Sequence, residues 1–355
     1  MLFEPRRSIA ARNEGTQKPQ RFTKPKHQRK NRSGRKRKTA ERLKTKKNGR
    51  SQKTKEKIRM FGIEVEFNNI TRKEAAEVIR TTLNGTADNK DCERAPYYKR
   101  IVIDQQGRKW TITKDSSVEG PFEEKCELAT PPLTEADLPT LQAVIEALKA
   151  AGARSSNDRG CGIHLHLSSD SHSLQSIRNF CNLFAAHEDQ LFKAFGVDDD
   201  RKKHYCKNTE TAFIEQLNKK KPTKLEQLAD IWYETNNGNM NRDDHYNPSR
   251  YHALNLHALF HRYHTIEVRL GQFCESTSME WTVLKSFILI CLAMDKKAKE
   301  LTTASPKRQA DWKSAYSFRC WLLRLGFIGE DTKDVRKFLL QGFEGDKAWR
   351  RVAAA

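Results

Sequence analysis

The sequence predicts an α+β fold built on a mixed antiparallel sheet, and three observations support this. Two strand-like segments, residues 97–104 and 109–115, are joined by Gln-Gln-Gly, which is a hairpin pattern. Strands and helices do not alternate as they do in folds made of βαβ units. Residues 276–350 are predicted to be largely helical. At 355 residues, the chain can bury a core in one large domain or in two ordinary ones.

The first half of the ordered chain begins with a strand at residues 58–67, where apolar and acidic positions alternate. A helix is predicted over residues 71–83, and the hairpin follows. A strand at residues 124–130 ends at two prolines. Thr134 then caps an amphipathic helix that runs to about residue 151.

The second half is predicted to contain a strand at residues 162–168 and a long helix that stops at Gly196. Residues 197–249 are polar and charged, and we interpret them as an insertion or lid. Two strands, residues 251–257 and 264–271, are expected to pair with each other. The helical C-terminal part, residues 276–355, belongs to the same domain as the core at residues 58–275. Its expected core anchors are Trp281, Trp312 and Trp321.

The net charge of +21 is concentrated in an N-terminal arm. Residues 1–60 hold 23 Lys/Arg against 4 Asp/Glu, whereas the rest of the chain holds 43 against 41. Residues 1–57 have too little apolar surface to offset the entropy of ordering, so we expect a disordered basic arm. Such an arm could attract nucleic acid or another polyanion by releasing counterions, or it could be a solvated or localising tail.

Cysteine usage and hydropathy favour a reduced, cytoplasmic protein. The eight cysteines are scattered and form no CxxC pair, so they are expected to be free thiols. No segment approaches the ~20 consecutive apolar residues of a membrane span, and the N-terminus lacks an apolar signal-peptide core. We therefore expect neither a membrane partner nor secretion.

Two predicted strands carry pairs of ionisable side chains at a spacing of two. Residues two apart in a strand point to the same face, so Glu64 and Glu66 share one face, and His164 and His166 share another. Apolar residues occupy the opposite face of each strand. Alone, a pair of glutamates is typical of a half-exposed strand, and a pair of histidines is typical of a satisfied, non-functional pair.

A third strand repeats this construction with Glu267 and Arg269, which alone would be a surface ion pair. Three such strands suggest one charged sheet face, which is costly unless cations and anions balance it. Divalent metal with a polyphosphate would do so, because Mg²⁺ prefers oxygen ligands and bridges phosphates. Glu127 would add a carboxylate, whereas Asp115 and Ser116 are as typical of a turn as of a binding site.

At these residues the chain resembles the putative amidoligase family, a branch of the glutamine synthetase and glutamate cysteine ligase superfamily. The resemblance covers roughly residues 58–275, and its motifs occur in the expected order. They are FGIEVEF (61–67), WTITKDSS (110–117), CELATPPL (126–133), CGIHLHL (161–167), RYHALNL (250–256) and TIEVRLG (265–271).

The resemblance implies a glutamine-synthetase-like curved antiparallel sheet that forms an open trough flanked by helices. ATP would enter one end and the carboxylate substrate the other. Glu64, His164 and Glu267 match ligands of the metal that bridges the nucleotide phosphates. Glu66 and Glu127 match ligands of the metal near the acceptor groups.

The same resemblance assigns further residues to phosphate binding and catalysis. His166 matches a phosphate-contacting histidine, and Arg269 a cation near the transferred phosphoryl group. Arg250 and Asn255 match the amidoligase motif, with Arg250 expected in catalysis and Asn255 in nucleotide binding. Asp115 and Ser116 are assigned in the same way to catalysis and to nucleotide binding.

The implied reaction joins a carboxylate to an amine through an acyl phosphate, with ATP and either Mg²⁺ or Mn²⁺. Metals and cationic side chains would stabilise the phosphoryl transfer, and an acidic group would take a proton from the incoming amine. One departure concerns Thr265, which stands where glutamine synthetases have a second arginine. Substrate identity is expected to depend on residues 197–249, which match no family motif.

Two other functions fit parts of the sequence. Paired histidines also serve metal-dependent hydrolases, but those barrels need repeated βα units that are absent here. A nucleic-acid-binding protein with a degenerate ligase body would explain the basic arm. Retention of the expected ligand positions disfavours degeneration, and ATP consumption would separate these alternatives.

Overall fold

The computed structural model describes residues 59–88, 98–261 and 263–349, and the expected basic arm lies outside these ranges. The described chain is α+β, with one open eight-stranded antiparallel sheet and flanking helices. The strands are β1 Phe61–Phe67, β2 Thr86–Ala87, β3 Arg100–Ile103, β4 Lys109–Thr113, β5 Cys126–Ala129, β6 Ile163–Ser168, β7 Leu254–Asn255 and β8 Thr265–Gly271. The helices are α1 Arg72–Thr82, α2 Leu138–Ala150, α3 Leu174–Ala194, α4 Asp199–His204, α5 Thr211–Lys220, α6 Leu225–Thr235, α7 His257–Phe260, α8 Trp281–Glu300, α9 Ala315–Arg324 and α10 Lys333–Leu339.

The strands lie in the order β2-β3-β4-β5-β1-β6-β8-β7, so the first charged strand is central. The predicted hairpin is confirmed as β3 and β4. Asp104 fixes its turn, because its Oδ1 accepts hydrogen bonds from the backbone N–H groups of Gln106 and Arg108, both at 2.9 Å. Gly107 lies in the left-handed region with φ +76°, where a side chain would be strained.

One face of the central strands forms the hydrophobic core. Val65, Leu165 and Val268, on β1, β6 and β8, are each at most 1% exposed. Helix α8 packs on β6 and β8, and α3 packs on α8. Because side chains alternate along a strand, burying this face turns the charged side chains to the opposite face.

The caps of the first two helices follow the sequence signals. Thr71 and Glu74 form a reciprocal capping box at the start of α1. Thr134 forms the same arrangement with Asp137, but the turn that it caps is a short 3₁₀ segment before α2. The chain therefore enters α2 one turn later than predicted.

The predicted strand at residues 251–257 is shorter in the structure, where β7 covers only Leu254–Asn255. Its pairing with β8 is confirmed. The Asn255 side chain accepts the backbone N–H of His257 at 2.8 Å, and the chain turns there into α7. This local side-chain bond competes with continuation of the strand ladder.

Residues 197–249 contain α4, α5, α6 and the start of a 3₁₀ turn at Pro248–Arg250. Phe213 and Trp232 from this segment are fully buried in the common core. Their packing fixes α5 and α6 to the body of the protein, and the interpretation of the segment as an insertion or lid stays a prediction.

The three expected tryptophan anchors differ in the structure. Trp321 is 5% exposed and belongs to the core, and Trp281 is partly buried against it. Trp312 is half-buried at the surface and lies outside the core, so this expectation was wrong. Within the described ranges, no helix has the length and apolar character needed to span a bilayer.

Candidate active site

Strand pairing brings the ionisable residues of four strands, together with Asn255 on a fifth, side by side. In the register of the sheet, Glu66 lies opposite Glu127 and Glu64 lies opposite His164. Glu267 lies opposite His166 on one side and opposite Asn255 on the other. Partners directly across antiparallel strands lie close together, so the register by itself gathers these side chains on one face.

One group that could hold a cation consists of Glu64, His164 and Glu267. His164 Nδ1 lies 3.1 Å from Glu64 Oε2 and 4.0 Å from Glu267 Oε1. His164 and Glu267 are buried, while the Glu64 side chain is 23% exposed. Each residue offers one ligand atom, and these atoms lie within 4.8 Å of one another, so a single ion could contact all three.

A second group consists of Glu66, Glu127 and His164. His164 Nε2 lies 3.8 Å from Glu66 Oε1. The other Glu66 oxygen accepts the backbone N–H of Gly162 at 2.6 Å, and Thr113 Oγ1 donates to Glu127 Oε1 at 3.2 Å. These bonds orient both carboxylates while leaving lone pairs for an ion.

His164 therefore lies between the two groups. A neutral imidazole has one acceptor nitrogen and one N–H, so it can ligate an ion in only one group while donating to a carboxylate of the other. The two groups are otherwise carboxylates, and oxygen-rich donor sets suit Mg²⁺ or Mn²⁺. The donor chemistry thus fits the metals that the sequence comparison implied.

Neighbouring charges in the cluster shift one another's pKa values. Burial acts to raise the pKa of Glu64, but neighbouring His166 and His164 outweigh it and hold that pKa well below its ordinary value. Burial raises the pKa of Glu127 well above its ordinary value, and Glu64 and Glu66 raise it further. Burial also raises the pKa of Glu66. In the absence of a cation, the Glu127 side of the face accordingly favours a retained proton.

Arg269 supplies a fixed positive charge on this face. It is 6% exposed, and its Nη1 donates to Glu267 Oε1 at 2.5 Å. The opposing effect of burial is outweighed by Arg269 and the two histidines, which lower the pKa of Glu267 to about 2. Asn255 Nδ2 donates to the other Glu267 oxygen at 2.6 Å. Glu267 is thereby held ionised and in a fixed orientation.

A cavity of about 470 Å³ opens beside Glu64 and His166. His166 Nε2 lies 3.4 Å from Glu64 Oε1, while its Nδ1 lies 2.8 Å from Thr265 Oγ1. The Tyr263 ring packs edge-on against His166, with 5.7 Å between ring centroids, and Tyr263 is 58% exposed. Apolar side chains from β1, from the segment after β5 and from the segment before β8 form much of the remaining wall.

The other predicted site residues lie at the edges of the cluster. Asp115 is close enough to raise the pKa of Glu66 and Glu127, and its Oδ1 accepts the backbone N–H of Ser117 at 2.6 Å. Ser116 is exposed, and its carbonyl accepts from Lys125 Nζ at 3.5 Å. Arg250 Nη1 donates to the carbonyl of His245, and its guanidinium lies over the rings of Tyr246 and Tyr251. The functional roles assigned to these three residues stay predictions.

Sequence reasoning missed three residues that shape this face. Thr113 orients Glu127, and Tyr263 overhangs the cavity. Arg201, on α4, reaches the sheet from the segment interpreted as an insertion. Thr113 lies within the WTITKDSS motif and directly opposite Glu127 on the neighbouring strand, so alternation could have found it. Nothing in the local sequence indicates where Arg201 would lie.

Comparison with known proteins gives one result that bears on identity. No curated protein matches the chain. A family model described as "Putative amidoligase enzyme" matches residues 57–287, which contain all of the strands and every residue of both carboxylate groups. The chain belongs to this amidoligase family.

Proposed function

We propose that the protein is an ATP- and Mg²⁺-dependent carboxylate-amine ligase that forms an amide or isopeptide bond through an acyl phosphate. The observation that carries this proposal is the pair of carboxylate groups joined by His164 on one sheet face. Family membership supports a ligase. Two adjacent cation sites suit phosphoryl transfer, in which positioning and charge stabilisation supply most of the catalysis.

Glu64, His164 and Glu267 would hold one divalent ion, and Glu66 with Glu127 the other, with Mn²⁺ able to replace Mg²⁺. The ions would neutralise phosphate oxygens and reduce the repulsion between two anionic reactants. His166 and Arg269 would contact the phosphates. Support for these assignments comes from the short distances within each group and from the orientation of Glu267 by Asn255.

In the first step, a substrate carboxylate oxygen would attack the γ-phosphorus of ATP, and ADP would leave. In the second step, an amine nitrogen would attack the acyl carbon, inorganic phosphate would leave, and a base would take the amine proton. Asp115 lies near the Glu66 and Glu127 end of the site, which supports a role near the amine. The reaction consumes one ATP for each amide formed.

The cavity beside Glu64 and His166 is our candidate for the nucleoside of ATP. Its mostly apolar walls and the exposed Tyr263 ring suit a purine, and it adjoins the carboxylate group assigned to the nucleotide metal. Under this proposal, Asn255 and Ser116 lie on the nucleotide side, and the sheet is a curved trough of the glutamine synthetase type. The open antiparallel sheet supports that comparison at the level of architecture.

A screen for ADP release that requires both a carboxylate and an amine in the presence of Mg²⁺ tests the proposal. We expect Glu66→Ala and His164→Ala to abolish this release. Glu77→Ala is a suitable control, because Glu77 forms an exposed pair with Arg80 on α1. Wild-type turnover in the first two variants would show that the site is wrongly assigned, and amide hydrolysis without nucleotide would contradict a ligase.

A further inference from the structure

Arg201 is a buried cation that the proposed metal sites do not use. It lies on the short helix α4 and is only 4% exposed. Across the three described ranges, no carboxylate forms an ion pair with it, and its Nε is buried without a hydrogen-bond partner. A buried guanidinium without an anion is costly, because burial removes its hydration.

The position of Arg201 is fixed by backbone contacts at the edge of the charged face. Its Nη2 donates to the carbonyl oxygens of Arg269 and Gly271 on β8, at 3.1 and 3.3 Å. Its own backbone N–H is capped by Asp198 Oδ1 at 2.8 Å. The side chain therefore reaches the sheet from the first turn of a capped helix.

Gly162 leaves the space that the guanidinium fills. A Cβ at position 162 would lie 2.2 Å from Arg201 Nη2 and 2.8 Å from Nη1, so any side chain there would displace Arg201. The backbone N–H of the same glycine donates to Glu66 at 2.6 Å. Gly162 therefore lies beside the Arg201 guanidinium and also bonds to Glu66, a proposed metal ligand.

Arg269, whose backbone carbonyl accepts a hydrogen bond from Arg201, resembles Arg201 in having an Nε atom without a hydrogen bond to any described residue. Arg269 Nε is also buried and has no hydrogen-bond partner in the described part of the chain, although its Nη1 bonds to Glu267. Arg201 comes from a different part of the chain and brings a second guanidinium to the same region.

We propose that Arg201 binds a phosphoryl anion together with Arg269, either the transferred phosphate or the phosphate of the acyl intermediate. This inference rests on the proposed ligase function and adds a binding residue from the segment at residues 197–249. A guanidinium suits the task because its planar fork can donate two parallel hydrogen bonds to phosphate oxygens. The anion would also compensate the buried charge.

The test uses inorganic phosphate titrated calorimetrically into the full-length protein in the presence of Mn²⁺ and ADP. We expect Arg201→Gln to weaken phosphate binding by at least about tenfold, as expected for loss of a charge-assisted contact. Arg201→Lys should retain more affinity than Arg201→Gln, because it keeps the charge but loses the fork. A parallel titration with acetate tests whether Arg201 binds a carboxylate instead of a phosphate.

Arg72→Gln is the matched control. Arg72 is 7% exposed, and its Nη1 donates to the carbonyls of Phe122 and Lys125 at 2.6 and 3.1 Å, so it resembles Arg201 in burial and bonding. It lies outside both carboxylate groups. Phosphate affinity in Arg72→Gln should equal that of the parent.

Mn²⁺ binding, measured by electron paramagnetic resonance, distinguishes loss of the Arg201 charge from collapse of the site. Loss of a cation near Glu66 should leave Mn²⁺ affinity unchanged or raise it, whereas a collapsed site would lower it. The proposal is overturned if the parent binds no phosphate, if Arg201→Gln keeps parental phosphate affinity, or if only acetate binding falls. Equal loss of Mn²⁺ and phosphate binding in Arg201→Gln and Arg201→Lys would also overturn it. Failure of the ligase function is separate, because it appears as absent ADP release in the parent.

Discussion

Two regions of this protein bury histidines and carboxylates, and they differ in how completely the polar atoms are satisfied. On the sheet face, Arg269 Nε finds no hydrogen-bond partner among the described residues, and His166 Nε2 lies 3.4 Å from Glu64 Oε1 without forming a hydrogen bond. In the second region, which we call the α3 network, His172 contacts Ser176 Oγ through Nδ1 at 3.0 Å and Asp295 Oδ1 through Nε2 at 2.6 Å. Both nitrogens of His172 are used.

We include in the α3 network a separate cluster farther along the same helix, around Glu188, which is fully buried. Its Oε1 accepts from the backbone and hydroxyl of Thr209, both at 2.8 Å, and its Oε2 accepts from Asn208 and Arg308. The order Ser176, His172, Asp295 resembles a nucleophilic triad, but the His172 side chain is 0% exposed. Burial and charge alone therefore do not mark a site, whereas unused hydrogen-bonding capacity beside a cavity does.

The largest expected difference concerns turnover. Glu66→Gln removes a charge from the second carboxylate group, so we expect ADP release to fall by about 10³-fold, as for loss of a major electrostatic contact. Glu188→Gln makes the same chemical change in the α3 network and should leave turnover per folded molecule close to the parent. Steady-state assays with folded fractions measured by circular dichroism compare the two. Parental turnover in Glu66→Gln would show that the sheet face does not contribute more to catalysis than the α3 network does.

Asp295→Ala should lower stability without lowering turnover, which is the opposite of the effect expected for Glu66→Gln. Asp295 Oδ2 also accepts from Lys299 at 2.8 Å, so the variant leaves the buried His172 side chain and the partly exposed Lys299 ammonium without their anion. We expect a loss of about 3–5 kcal/mol in the free energy of unfolding, measured with urea, and unchanged ADP release from the folded fraction. A loss below about 1 kcal/mol would indicate that water replaces the carboxylate.

Glu188 in the α3 network should also make the free energy of unfolding depend on pH. Burial raises the pKa of Glu188 to about 7, against 4.5 as its ordinary value, although bonds from Thr209 partly oppose this shift. The folded state then holds the proton more tightly than the unfolded state, so this group's contribution to stability is full below pH 4.5 and declines as pH rises to 7. The decline should be about 3 kcal/mol or less, at about 1.4 kcal/mol per pH unit.

Urea unfolding of the parent and Glu188→Gln between pH 4.5 and 8 isolates this contribution. The difference between the two proteins should change across pH 4.5–7 and level off above it. A difference that is constant with pH would mean that Glu188 titrates normally in the folded protein.

The smallest effect is expected for Thr113→Val. The hydroxyl of Thr113 donates to Glu127 at 3.2 Å without being a proposed ligand, so its loss should weaken Mn²⁺ binding by about tenfold. Thr111→Val is a control on the same strand, two positions before Thr113. Equal Mn²⁺ affinity in both variants and the parent would show that Thr113 does not orient Glu127 for metal binding.

Much of the candidate site could be predicted because side chains alternate in strands. Val65 faces the core, so Glu64 and Glu66 must face the other side, and the same argument holds for His164 and His166. Alternation could not indicate that Trp312 would lie outside the core, since that depends on how α9 and the loop before it pack. Nor could it indicate that β7 would end at Asn255.

The sequence by itself determined the α+β class, the hairpin, the charged strand faces and the family motifs, because these depend on local periodicity and turn chemistry. Only the tertiary structure decided which charged residues meet. Glu64 and His164 are 100 positions apart, and their contact depends on the pairing of β1 with β6. Arg201 reaches Gly162 because its guanidinium bonds to the backbone of β8, and no local pattern encodes a contact between segments so distant in sequence.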